Sequence, residues 1–163
     1  MTASIRTFAV VGALAAATTA HAQLARQGTI DSQTCWGGTA QLMNFAKELA
    51  MGTYALTGTT RTSPPGGFMD LTTYECLGSF EFGKAGAGHN GYCVMVDAQG
   101  DQVFVRDVRP AGAASWPWQY LGGTGKYAGI TGSGDSRRIG TFVPARPGTT
   151  QGCNQVTGSY RLP

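Results

Sequence analysis

The chain has 163 residues, with 12 Lys or Arg against 9 Asp or Glu and a net charge of +3. Charged residues make up only 13% of it, and the basic ones are dispersed, with Arg137-Arg138 as their one adjacent pair, which argues against a nucleic-acid groove. The 25 glycines, set among many Thr and Ser, suit an exported β-protein better than a helical one.

Residues 1–22 read as a cleavable signal peptide. Arg6 supplies the positive start, Phe8 to Ala17 the apolar run, and Ala20-His21-Ala22 the small-x-small cleavage site. The apolar run is too short to span a bilayer, and no second long one follows. The expectation is one domain over residues 23–163, secreted or periplasmic, with no stable membrane insertion.

Gln23 to Ser32 reads as a loose lead-in, followed by closely spaced strand-like segments. Cys35 to Phe45 is the first and Gly52 to Thr60 the second; Leu42, Phe45, Ala46 and Leu49 between them also fit a short helix, with strand the preferred reading. Ser63-Pro64-Pro65-Gly66-Gly67 is a loop. Leu71 to Phe82 is a long strand with Tyr74, Cys76, Phe80 and Phe82 on one face and Thr73, Glu75, Leu77 and Glu81 on the other. Lys84 to Gly91 reads as a glycine-rich loop. Tyr92 to Asp97 and Gln102 to Val108 form a hairpin around Ala98-Gln99-Gly100-Asp101. Trp116 to Leu121 leads into a segment with six glycines between Gly122 and Gly134, and Arg138 to Val143 and Gln155 to Leu162 close the chain. About eight short, glycine-punctuated strands predict a small closed antiparallel β-barrel, in which closure removes the sheet edges.

All four cysteines, Cys35, Cys76, Cys93 and Cys153, follow the predicted cleavage site, and an even number in an oxidising compartment points to two disulfides. Three pairings are open. If the sheet closes, its first and last strands are neighbours, which favours Cys35–Cys153 with Cys76–Cys93. Zinc is disfavoured, because no Cys-x-x-Cys exists and His89 is the sole histidine beyond residue 22.

Candidate chemistry is sparse. Gly123-Thr124-Gly125-Lys126-Tyr127-Ala128 matches a dinucleotide fingerprint in letters, but the glycines that follow forbid the helix that fingerprint needs, so no cofactor is expected. Ser136 with His89 as base is a formal nucleophile–base pair, with His89 expected in a solvated loop. Glu75 is the weak candidate acid or base, should it point into a cavity. Glu75 and Glu81 lie too far apart along one strand to act as a glycosidase pair, roughly 20 Å. Asp97 and Asp101 flank a turn and are too few to hold calcium. Trp116, Trp118, Tyr120 and Phe104 are the candidate ligand-binding aromatics at a barrel mouth.

The run Gly122-Gly123-Thr124-Gly125-Lys126-Tyr127-Ala128-Gly129-Ile130-Thr131-Gly132-Ser133-Gly134 resembles the GGTGxxxGxxGxG element of the allene oxide cyclase barrel-like superfamily, related to the dirigent proteins. Thr34-Cys35-Trp36, Tyr74-x-Cys76-x-Gly78, Gly91-Tyr92-Cys93-x-x-x-Asp97-x-x-Gly100-Asp101 and Val156-Thr157-Gly158-Ser159-Tyr160 are similar to small secreted bacterial members. The resemblance implies an eight-stranded barrel with a central cavity. The plant enzymes of that group cyclise an unsaturated fatty-acid epoxide, and dirigent proteins steer a coupling reaction; no catalytic residue of either carries over to this chain. The leading expectation is therefore an exported barrel that binds a small apolar ligand without catalysis or serves the envelope. The alternative is an isomerase or cyclase acting on an unsaturated, lipid-like substrate in the cavity. Oligomeric state is left open.

Overall fold

The computed structural model describes residues 24–140 and 142–163, so the predicted signal peptide lies outside the described residues. Eight strands form one closed antiparallel barrel in chain order: β1 Gln27–Ala46, β2 Leu49–Thr62, β3 Thr73–Gly83, β4 Gly86–Val96, β5 Gln102–Arg109, β6 Ser115–Gly123, β7 Thr131–Ile139 and β8 Thr149–Arg161. β1 closes the ring against β8, with Cys35 directly opposite Cys153. Among the described residues the one helical element is a 3-10 turn at Gly125–Tyr127, and no helix is long and apolar enough to cross a membrane.

β3 shows why these residues make strand. Tyr74 and Cys76 are buried while Thr73, Glu75 and Leu77 are exposed, the two-residue alternation of a sheet with one covered face. Elsewhere the pattern is hidden, and three boundaries differ from the expectation. β1 starts at Gln27 rather than after Ser32, because its inward side chains there include Ser32 and Thr34, which no apolar period reveals. Residues 86–91 belong to β4 instead of a loop. Gly91 is needed in the ladder, since a Cβ on it would collide with the Tyr54 hydroxyl. β7 runs through the polar sequence Thr131–Ile139, paired on both sides, and takes in only Arg138 and Ile139 of the predicted closing strand at Arg138 to Val143. Residues 42–49 form a strand, a turn and the start of the next strand, in line with the preferred strand reading and not with the helix they also fit.

Both disulfides join cross-strand neighbours, with Cα atoms 4.1 Å apart in each. Their settings differ. Cys76–Cys93 lies on the lumen side, where both residues line the cavity. Cys35–Cys153 lies on the outer side of the β1–β8 seam, out of phase with the inward-facing Thr34 and Trp36. Two disulfides fit a protein of an oxidising compartment.

One end of the barrel is plugged. The β2–β3 loop folds Phe68 and Met69 across the opening, and the Phe68 ring stacks on Tyr160 with centroids 3.6 Å apart. Met69 and Leu71 sit in the left-handed region, with φ of 64° and 58°, a strained arrangement for side chains of their size. The Asp70 carboxylate between them holds the loop, accepting from the amides of Thr62 (2.8 Å) and Gly66 (2.7 Å). Those two amides keep its carboxyl below the usual range. The opposite end is open and rimmed by apolar side chains, among them Leu42, Phe45, Leu49, Phe82 and Val143, the last 83% exposed.

Candidate functional site

A cavity of about 580 Å³ runs from the Phe68 and Met69 plug to the Leu42 and Phe82 rim. Its wall is built from inward strand positions, and the large rings fit because glycines face them. Tyr54 lies over Gly78 and Gly91, and the Trp118 indole lies over Gly158; a Cβ at any of these three would overlap the ring or its hydroxyl. Glycine in this barrel thus makes room for aromatic wall, in addition to shaping turns.

Into that wall the strands place a polar cluster. His89 of β4 and Asp107 of β5 meet at 3.0 Å between Nε2 and Oδ1, with side chains 19% and 24% exposed. An ionised carboxylate only accepts, so in the neutral imidazole Nε2 carries the proton and Nδ1 remains an acceptor. The imidazole meets Tyr54 and Trp116 edge to face, at 6.3 and 5.4 Å between centroids. Burial, and secondarily the charge of Asp107, push the Tyr54 phenol up to about 12. Arg109 lies 5.0 Å from the centre of the Trp116 ring, and Arg138 lies 4.8 Å from that of Trp36. Trp116 Nε1, Ser136 Oγ and Asn154 Oδ1 are buried with no hydrogen-bond partner among the described residues.

Of the residues singled out from sequence, Trp116, Trp118 and Tyr120 line the cavity. Phe104 does not: its neighbours Val103 and Val105 are the buried ones, and it lies against Gly122 away from the lumen. Glu75 is exposed on the outer face of β3, because Tyr74 and Cys76 take the inward positions. His89, expected in a solvated loop, is a lumen residue on β4. Ser136 is in the lumen too, but its hydroxyl contacts no base, so no nucleophile–base pair is formed. Asp97 organises the β4–β5 turn, accepting from the Gln99 amide (2.9 Å), the Asp101 amide (3.0 Å) and the Tyr127 hydroxyl (3.0 Å), beside the Lys126 ammonium. Burial alone would raise the Asp97 carboxyl; Lys126 and these donors hold it below its usual value instead. Among the described residues no group of three or more His, Cys, Asp or Glu is placed to hold a metal ion. Sequence reasoning passed over Tyr54, Asp107, Arg109 and Arg138. Asp107 and Arg109 share the face of Val103 and Val105 that turns into the lumen, but Phe104 and Val108 make the other face of β5 equally apolar, so the sequence did not mark them.

No protein-family model matches this sequence, and none of the curated proteins compared with it does. The structural comparison is informative. The barrel fold is shared with dirigent proteins. The pterocarpan synthase dirigent protein PsPTS1 superposes with a TM-score of 0.52 at 9% identity, over 86% of this chain and 97% of that one. The pterocarpan synthase dirigent protein GePTS1 gives 0.50 at 8% identity, over 86% of this chain and 89% of that one. Likeness at this identity establishes the fold and leaves the chemistry to the lumen itself.

Proposed function

We propose that this protein is an exported member of the barrel superfamily that includes allene oxide cyclases and dirigent proteins. In this reading residues 1–22 are its signal peptide, and residues 23–163 bind and orient one small, largely apolar molecule. The supporting observation is the cup itself, plugged at one end by Phe68 and Met69, open at the other, and walled by aromatic rings around about 580 Å³. A barrel of about eight strands can be filled by its own side chains or hold one small ligand; here glycines opposite the rings keep the centre clear. The two neighbours named as pterocarpan synthases are consistent with small-molecule work inside such a fold.

Native mass spectrometry of the protein purified from its producing cells tests this. A small molecule should travel with the chain and leave on denaturation, and Glu75→Gln, on the outer face, should not change its occupancy. A bare polypeptide that also takes up no apolar probe would count against the binding reading.

The His89–Asp107 pair favours a second reading, isomerisation or cyclisation of an unsaturated substrate. Nδ1 of an imidazole held by a carboxylate is a proton acceptor inside an apolar cavity, with the Tyr54 phenol beside it. If so, Asp107→Asn should abolish turnover of the co-purified molecule and leave its binding in place.

A further inference from the structure

Charge in the lumen is unbalanced. Arg109 and Arg138 bring two guanidiniums, while the lumen carboxylate, Asp107, is engaged by His89. Arg109 donates through Nε to the Ala113 carbonyl at 2.8 Å. Among the described residues Arg138 makes neither an ion pair nor a side-chain hydrogen bond; it stacks on Trp36 and faces the cavity. Burial, and then the like charge of Arg109, lower its pKa, as expected of a cation held without its counter-ion.

Unpartnered donors lie next to it. Ser136 precedes Arg138 by one inward position on β7, and Trp116 is its cross-strand partner on β6. Trp116 is 1% exposed and Ser136 3%, both line the cavity, and neither Nε1 nor Oγ has a partner among the described residues. Buried polar atoms without partners are rare, and each calls for an explanation such as an ion or water that the site takes up. An indole N–H can only donate, and a hydroxyl can turn to do so. Together with a guanidinium already held flat on a ring, they form a seat for an oxyanion. Around it Trp36, Tyr54, Tyr74 and Phe80 offer faces and edges to a flat apolar body.

We propose that the lumen binds an aromatic carboxylate, its ring system against the aromatic wall and its carboxylate on Arg138, Ser136 and Trp116. This rests on the binding reading above and adds the chemical class of the ligand.

Two isosteric probes test it by tryptophan fluorescence or calorimetry: 2-naphthoate, an anion, and 2-acetylnaphthalene, which is neutral. The wild-type protein should prefer the anion by about tenfold or more, the scale of one charge-assisted hydrogen bond. High salt should shrink that preference. Arg138→Met should collapse it, and Ser136→Ala should reduce it. Equal affinity for the two probes would overturn the oxyanion seat and leave the binding reading standing. Binding of neither probe to the folded wild-type protein would bring down both. The wild-type comparison needs no variant, so a poorly folding Arg138→Met would not spare the proposal.

Discussion

Replacing Trp118 by alanine should cost the barrel about 3–5 kcal/mol, the range for removing a large aromatic from a core. The indole is 5% exposed, lies 4.9 Å from Tyr120 between ring centroids, and packs in the cluster that carries Ile30, Val105 and Tyr160. Its Nε1 donates to the Thr157 carbonyl at 3.2 Å, so truncation removes a hydrogen bond as well as opening a void. The void cannot refill easily, because the residue facing the ring is Gly158, which has no side chain to move in. Such a loss is a large part of the roughly 5–15 kcal/mol that holds a domain together. Urea denaturation of Trp118→Ala beside Trp118→Phe reads it, with the phenylalanine variant losing less. A cost of about 0.5 kcal/mol or less, the size of a surface substitution, would mean that the ring is not packed as described.

Alkaline pH should unfold the protein earlier than its disulfides would suggest. Burial raises the phenols of Tyr54, Tyr74, Tyr120, Tyr127 and Tyr160, and the first of these reaches about 12. In the unfolded chain a phenol ionises near about 10. Below that value both states keep the proton and the full stability is present. Above it the unfolded chain loses protons that the fold retains, so stability falls and goes on falling through the folded value. For Tyr54 alone two pH units correspond to about 2–3 kcal/mol as an upper figure. The urea midpoint should hold steady up to about pH 10 and then drop steeply, with phenolate absorbance rising at the unfolding transition rather than before it. Tyr54→Phe should flatten part of that slope. A midpoint unchanged well above pH 10 would refute the buried phenols.

The parts legible in the sequence are those where one physical demand acts alone. β3 shows its alternation because the outer face is polar and the inner one apolar. The disulfide pairing followed from closure. Trp116, Trp118 and Tyr120, alternate residues of β6, lie inside. Phe104 misled because β5 is apolar on both faces, and alternation does not say which face turns inward. Glu75 misled in the opposite sense, as a carboxylate considered for the cavity on a strand whose inward places belong to Tyr74 and Cys76. The polar half of the lumen was hidden for a different reason. Ser136 and Arg138 on β7, and His89 after the glycines of β4, occupy inward positions that a filled core would give to apolar residues. A partly polar lumen erases the hydrophobic period on the strands that build it.

The seam between β1 and β8 sets this barrel apart from a simple ribbon of hairpins. Every other strand junction joins sequence neighbours, while this one brings together cysteines 118 residues apart. Hairpins form in about 1–10 μs, whereas bringing distant segments together costs closure entropy before it returns any contact. Until the β1–β8 junction forms, both strands are bare edges, each able to pair with the edge of another chain. Oxidation of Cys35 and Cys153 acts on that junction and works as a clasp. Once it is made, the ring stays a ring through local opening, and the edges are no longer offered to neighbours. The outer disulfide thus guards against misassembly between chains, a task the lumen-side Cys76–Cys93, within a single hairpin, cannot share.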